Sequence, residues 1–234
     1  MESFYIVGGN KLEGEVEIDP AKNSLLPILA GCILVDDEIL LENVPKYSDV
    51  IAMCKILEHL GGKTKFVSGK YKNEDLLVDC RDIVYSDVPN ELACSVRSSI
   101  FTLGSILGRK KIAKVSYPGG CDIGLRPIDI HIAGLKQLGC KVVDKNGYIY
   151  ADGSKRRAED VMLSFSSVGA TENIMMFASV CKGQTRIFNP AREPEIVDLQ
   201  NFLNKCGAKI SGAGGNMIVI DGVPKLHGCC YHAI

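Results

Sequence analysis

The residues best placed to do chemistry lie in Pro118-Gly119-Gly120-Cys121-Asp122-Ile123-Gly124-Leu125-Arg126-Pro127. One cysteine there is flanked by glycines and followed by an arginine. Glycine adds no side-chain bulk and accepts unusual backbone angles, so the stretch suits a loop that presents a thiol. A nearby guanidinium favours the thiolate and can also grip an anion. A surface turn with an incidental cysteine is the alternative, and the rest of the chain must decide between them.

Other positions offer anion chemistry. In Ala21-Lys22-Asn23-Ser24, taking Ser24 as an N-cap places Pro27 in the first helical turn, where its missing N–H is harmless. Lys22 then stands just outside a helix N-terminus, a place suited to phosphate or carboxylate. A plain surface lysine ahead of a capped helix satisfies the same residues. Arg97 sits within the largely apolar stretch 92–107, where it either snorkels to solvent or turns inward to an anion. Ser166-Ser167-Val168-Gly169-Ala170-Thr171 opens another apolar helix. Its hydroxyls and glycine either cap that helix or leave N–H groups for a diphosphate. His131, at helical spacing, reads as a packed or surface histidine rather than a catalyst.

Composition bounds the rest. The 234 residues are 46 % hydrophobic and 24 % charged, the balance of a globular protein with a sizeable core, aliphatic because Trp is absent. A net charge of -1 argues against a general nucleic-acid binder. The longest apolar run, residues 24–35, is too short to span a bilayer. The start of the chain lacks the pattern of a secretory signal, and Cys32, Cys54, Cys94, Cys181 and Cys206 lie in apolar, helix-like runs. With no Cys-x-x-Cys, the ten cysteines point to a reducing cytoplasm rather than to disulfides or zinc.

These groups need a frame, and a repeat supplies one. Leu60-Gly61-Gly62-Lys63, Leu138-Gly139-Cys140-Lys141 and Cys206-Gly207-Ala208-Lys209 each end a helical pattern, with Leu57, Leu135 or Leu203 four residues before the glycine. Glycine there is a natural left-handed helix cap. The helices start near Asp49, Asp129 and Pro194. Each cap leads into an alternating hairpin: residues 63–67 with 76–78, 141–144 with 148–151, and 209–211 with 217–220. Asn146-Gly147 and the glycine-rich 212–216 supply turns. A strand precedes each of these helices, and an apolar helix (24–35, 92–107, 171–181) precedes each strand. The unit is helix–strand–helix–strand–strand, three times over, at a period of roughly 70 residues. Its fold class is α/β, with helices inside and sheets outside.

Residues 20–29, 97–103, 116–134, 167–175 and 189–212 together resemble the enolpyruvyl transferases, in that family's order and across nearly the whole chain. The Pro-Gly-Gly-Cys loop resembles the branch of the family that acts on a uridine nucleotide sugar, since the aromatic-pathway branch lacks it. The resemblance implies an inside-out α/β barrel of repeated units. It implies transfer of the enolpyruvyl group of phosphoenolpyruvate to the 3′-hydroxyl of UDP-N-acetylglucosamine, the first committed step of peptidoglycan synthesis, with no metal or organic cofactor, no nucleic acid and no membrane partner. On the same ground Cys121 is the general acid and site of a covalent adduct. Lys22, Asn23 and Arg126 meet phosphoenolpyruvate or orient the substrates around it. Arg97, the run Arg126, Pro127, Ile128, Asp129 and Ile130, and Ser167, Val168 and Gly169 hold the nucleotide side.

Two residues depart from the family pattern: Pro20 where glycine is usual, and Phe165 where some members carry a basic residue. The family also has six repeats in two domains. The expected organisation is therefore residues 1–20 as strands of a second domain, 21–229 as the three-repeat domain, and 230–234 as a return to the second domain. The general base and two further arginines are expected from the other half. The alternative is a non-catalytic homologue that keeps the fold and nucleotide binding.

Overall fold

The computed structural model describes residues 3–119 and 128–234. The chain begins with α1 (Lys22–Cys32), β1 (Glu38–Glu42), α2 (Ser48–Leu60), β2 (Lys63–Val67) and β3 (Asp75–Asp79). A second group follows: β4 (Asp87–Val88), α3 (Asn90–Ala93), a 3-10 turn over Arg97–Phe101, α4 (Thr102–Lys110), β5 (Ile112–Ser116), α5 (Asp129–Gln137), β6 (Lys141–Lys145) and β7 (Tyr148–Asp152). The third is β8 (Val161–Met162), α6 (Val168–Ala178), β9 (Gly183–Phe188), α7 (Pro194–Lys205), β10 (Lys209–Ser211) and β11 (Met217–Gly222), with β12 (Cys230–His232) last.

Three sheets repeat one order: β2-β3-β1-β12, β6-β7-β5-β4 and β10-β11-β9-β8. In each, the last pair is parallel and the others antiparallel. The repeat thus has one strand more than its sequence pattern suggests. β4 and β8 lead the second and third units, and the first unit takes its equivalent, β12, from the far end of the chain. Residues 230–232 pair with β1 and complete the first sheet, with Leu41 opposite Tyr231.

Burial follows from this arrangement. Ser24–Cys32 of α1, Thr102–Gly108 of α4 and Ala170–Ala178 of α6 are buried without a break. α4 packs on α6, and α1 on α2, α4 and α7. The strands alternate; Ile149 and Ala151 of β7 face inward while Tyr150 faces out. Helices wrapped by half-solvated sheets form the inside-out barrel expected from the pattern.

The glycine caps form as read. Gly61, Gly139 and Gly207 take positive φ of 107°, 83° and 97°. In each case the next N–H reaches the leucine carbonyl one turn back: Gly62 to Leu57 (2.9 Å), Cys140 to Leu135 (3.1 Å) and Ala208 to Leu203 (3.0 Å). That is the Schellman closure, and it sends the chain from each helix directly into its hairpin.

Three expectations are corrected. The stretch 92–107 is not one helix. Val96 is extended (φ -150°, ψ 134°) between α3 and the 3-10 turn, and Ser95 Oγ donates to the Leu92 carbonyl at 2.6 Å. Side chains that compete for the backbone interrupt the helix there. Cys94 consequently lies exposed at the end of α3 rather than in the core. Ser24 is not a cap: Ala21 accepts from the Ser24 and Leu25 N–H groups, α1 starts at Lys22, and Pro27 falls inside the helix. Residues 3–18, assigned above to strands of a second domain, pair with no strand among the described residues, and Phe4, Tyr5 and Ile6 are exposed.

Candidate functional site

A cavity of about 870 Å³ lies where the N-terminal ends of four helices converge. α1 brings Lys22 and Asn23, the start of α5 brings Ile128, Asp129 and Ile130, and the start of α6 brings Ser167, Val168 and Gly169. Glu193 and Glu195 come from the start of α7, while the 3-10 turn supplies Arg97, Ser98 and Phe101. The first turn of a helix leaves N–H groups without intrahelical partners and carries the positive end of its dipole. Four such ends around one cavity suit an anion, although acidic side chains outnumber Lys22 and Arg97 among the described lining residues.

The sequence-predicted residues therefore gather here: Lys22, Asn23, Arg97, Ile128, Asp129, Ile130, Ser167, Val168 and Gly169 line one space. Cys121, Arg126 and Pro127 lie outside the described residues. The chain reaches them from a pinned point, for the Gly119 N–H donates to the Ala93 carbonyl at 3.1 Å. A Cβ on Gly119 would stand 2.4 Å from the Cys94 carbonyl oxygen, so no side chain fits at that approach. Ile128 opens α5 on the far side of the gap and already lines the cavity.

Local contacts fix several of these groups. Lys22 pairs with Asp49 at 2.9 Å, tying the start of α1 to α2. Ser167 caps α6, accepting from the Ala170 N–H at 3.4 Å, and Ser166 Oγ donates to the Pro190 carbonyl. Capping and cavity lining thus fall on the same segment. Phe165 lines the cavity with 68 % of its surface exposed and presents an apolar face there. Pro20 is buried, and its carbonyl accepts from Tyr47 at 3.5 Å.

The sequence reading missed a buried network behind the cavity. Asn173 Oδ1 accepts from the Gly104 N–H at 2.7 Å, filling an open donor in the first turn of α4. Its Nδ2 must then donate, and it reaches the Ile100 carbonyl (3.1 Å) and His131 Nδ1 (2.9 Å). That orientation leaves the imidazole proton on Nε2. Burial lowers the His131 pKa to about 4, assisted by Arg97 and opposed by Asp129, so the ring is neutral at physiological pH. A Cβ on Gly169 would approach the His131 ring to 3.0 Å, which explains glycine at that position.

Glu172, one turn further along α6, is 1 % exposed, and its Oε2 has no hydrogen-bond partner among the described residues. Burial first, then the charges of Glu195 and Glu193, push its pKa well above the ordinary carboxylate range. It is a neutral acid beside the cavity. Neither His131 nor Glu172 carries a local signal, because each sits in an apolar helical period that reads as core.

The family model described as EPSP synthase (3-phosphoshikimate 1-carboxyvinyltransferase) matches residues 6–234. A UDP-N-acetylglucosamine 1-carboxyvinyltransferase 2 from Caldanaerobacter subterraneus subsp. tengcongensis is 51 % identical over all of this chain and 55 % of its own length. A UDP-N-acetylglucosamine 1-carboxyvinyltransferase from Gloeobacter violaceus is 46 % identical over 99 % of this chain and 50 % of its own. The chain thus spans about half the length of the curated relatives it matches. Among solved structures, the enolpyruvyl transferase NikO from Streptomyces tendae aligns with a TM-score of 0.83 at 21 % identity, over 97 % of this chain and 53 % of that one. EPSP synthase from Acinetobacter baumannii aligns at 0.71 and 14 %, over 94 % and 49 %. Three sheets of one order around shared helices, matched by the family model along almost the whole chain, make this protein a member of the EPSP synthase-type enolpyruvyl transferases.

Proposed function

We propose that this chain forms the nucleotide-sugar and cysteine-loop half of an enolpyruvyl transfer site, with phosphoenolpyruvate and UDP-N-acetylglucosamine as substrates. The convergence of four helix N-termini with Lys22 and Arg97 on one cavity carries the reading. A phosphate-rich ligand is suited by helix N-termini with a few fixed cations beside them, and these stand together at the cavity. Ser167, Val168 and Gly169 are suited to the nucleotide side, with Arg97 opposite; Lys22 and Asn23 are suited to phosphoenolpyruvate.

Cys121, carried over from the family, would deliver a proton to the enol carbon, and Arg126 would steady the anion beside it. Family resemblance assigns the general base and two further arginines to sequence outside these 234 residues. The chain alone is therefore expected to bind ligand, and to turn it over only with that portion present, in the cytoplasm as part of peptidoglycan synthesis.

Titration calorimetry with UDP-N-acetylglucosamine tests the binding half of this reading. Saturable binding is expected, weakened about ten- to a hundredfold by Arg97→Ala through loss of a charge-assisted contact. No saturable heat, or equal affinity in Arg97→Ala, would sink it.

A further inference from the structure

Most of the described thiols are buried, and at the end of α7 one buried thiol meets a half-buried one. Cys206 Sγ and Cys229 Sγ stand 3.4 Å apart. Backbone bonds hold both in place: the Cys206 carbonyl accepts from the His227 N–H, and the Cys229 carbonyl accepts from the Leu40 N–H, each at 2.9 Å. Cys206 is fully buried, whereas Cys229 is half-buried and open to small reagents. A disulfide needs the sulfurs at about 2.05 Å, so these two must close by a little over an ångström, a movement on the scale of side-chain rotation.

We propose that Cys206 and Cys229 form a reversible dithiol–disulfide pair, oxidised by hydroperoxides, that fastens the end of α7 to the residue just ahead of β12, the strand closing the first sheet. This proposal is independent of the proposed function.

Cys229 is the nucleophile. Its hydrogen bond with Cys206, then Lys205 and His227, lower its pKa, while the same bond and burial raise that of Cys206. Access agrees, since only Cys229 is open to a reagent. The Cys229 thiolate attacks the distal peroxide oxygen, the O–O bond breaks, and hydrogen peroxide leaves a sulfenic acid and hydroxide. The Cys206 sulfur then attacks that sulfenic sulfur, and the S–O bond breaks. The departing hydroxide takes the Cys206 proton as water, leaving the disulfide. Two thiols are oxidised by two electrons and one peroxide is reduced. Dithiothreitol reverses the change.

The test is brief treatment of the folded 234-residue chain with hydrogen peroxide, denaturation in alkylating agent, and non-reducing peptide mapping. Loss of two alkylatable thiols and a peptide joining Cys206 to Cys229 are expected, both reversed by dithiothreitol. Cys230→Ser should keep the cross-link and Cys229→Ser should lose it, which separates this pair from its exposed neighbour. The mapping of the unsubstituted chain stands even where a variant folds poorly. Recovery of Cys206 and Cys229 as free thiols while other cysteines oxidise, or pairing of Cys206 with Cys32, would overturn the proposal.

Discussion

His131 and Glu172 show how one cavity wall holds two groups neutral by opposite shifts. For His131 the folded pKa is about 4 against an ordinary 6.5, so the unfolded chain takes up the proton first as pH falls. Its contribution to stability is full above pH 6.5 and declines toward about pH 4, by at most about 3 kcal/mol. Glu172 runs the other way: its folded pKa is raised, so the unfolded chain ionises first and stability is lost as pH rises above the ordinary carboxylate range. Urea unfolding from pH 4 to 8 should show His131→Gln flattening the acid side and Glu172→Gln flattening the neutral side. An acid slope unchanged in His131→Gln would refute the buried neutral imidazole. The sequence made Lys22, Arg97 and the Ser167–Gly169 run stand out because hydroxyls, glycine and isolated cations are conspicuous in apolar surroundings, and the structure brings them to one cavity. It hid His131 and Glu172 because their settings depend on Asn173 and α7, which only folding brings to them.

At the scale of elements, the glycine caps were readable because the left-handed turn demands a particular residue type. The demand differs from glycine to glycine. Gly147, in the Asn146-Gly147 turn, has φ of 75° and open space around it. Gly147→Ala should cost only the left-handed strain of about 1–2 kcal/mol. At Gly61, with φ of 107°, a Cβ would also meet the Asp82 carbonyl oxygen at 2.5 Å. There Gly61→Ala should cost about 2–5 kcal/mol, strain and overpacking together. Equal losses in chemical denaturation would count against the close approach. β4 and β8 escaped the sequence because two residues are too few to show alternation, and each forms only by pairing with a strand already in place. The break at Val96 escaped for a different reason, since an apolar period continues through it.

At the scale of the whole molecule, the legible repeat left open how three units become one body. β12 answers that: it pairs with β1 as β4 pairs with β5 and β8 with β9, so the first unit takes from the far end of the chain the strand that the other two carry at their own start. This closure ties the first unit to the third, and the first unit should not persist without it. The Ala21 N–H also donates to the Ile234 carbonyl at 2.6 Å, so the polypeptide leaves the barrel beside the point where it entered. Topologically the barrel is a ring cut at one place, and the location of the cut should matter little. A circular permutant joining Ile234 to Ala21 through a short linker, with new ends between Asn146 and Gly147, should fold to the same helix content and unfold in one cooperative step. A permutant that stays molten would mean the cut is not neutral. If it folds, anything tethered at residues 21 and 234 rides on two adjacent segments of chain rather than one. Such a double tether permits swinging about a single axis and resists twisting, so the mechanics of any attached body would be set by this one corner of the ring.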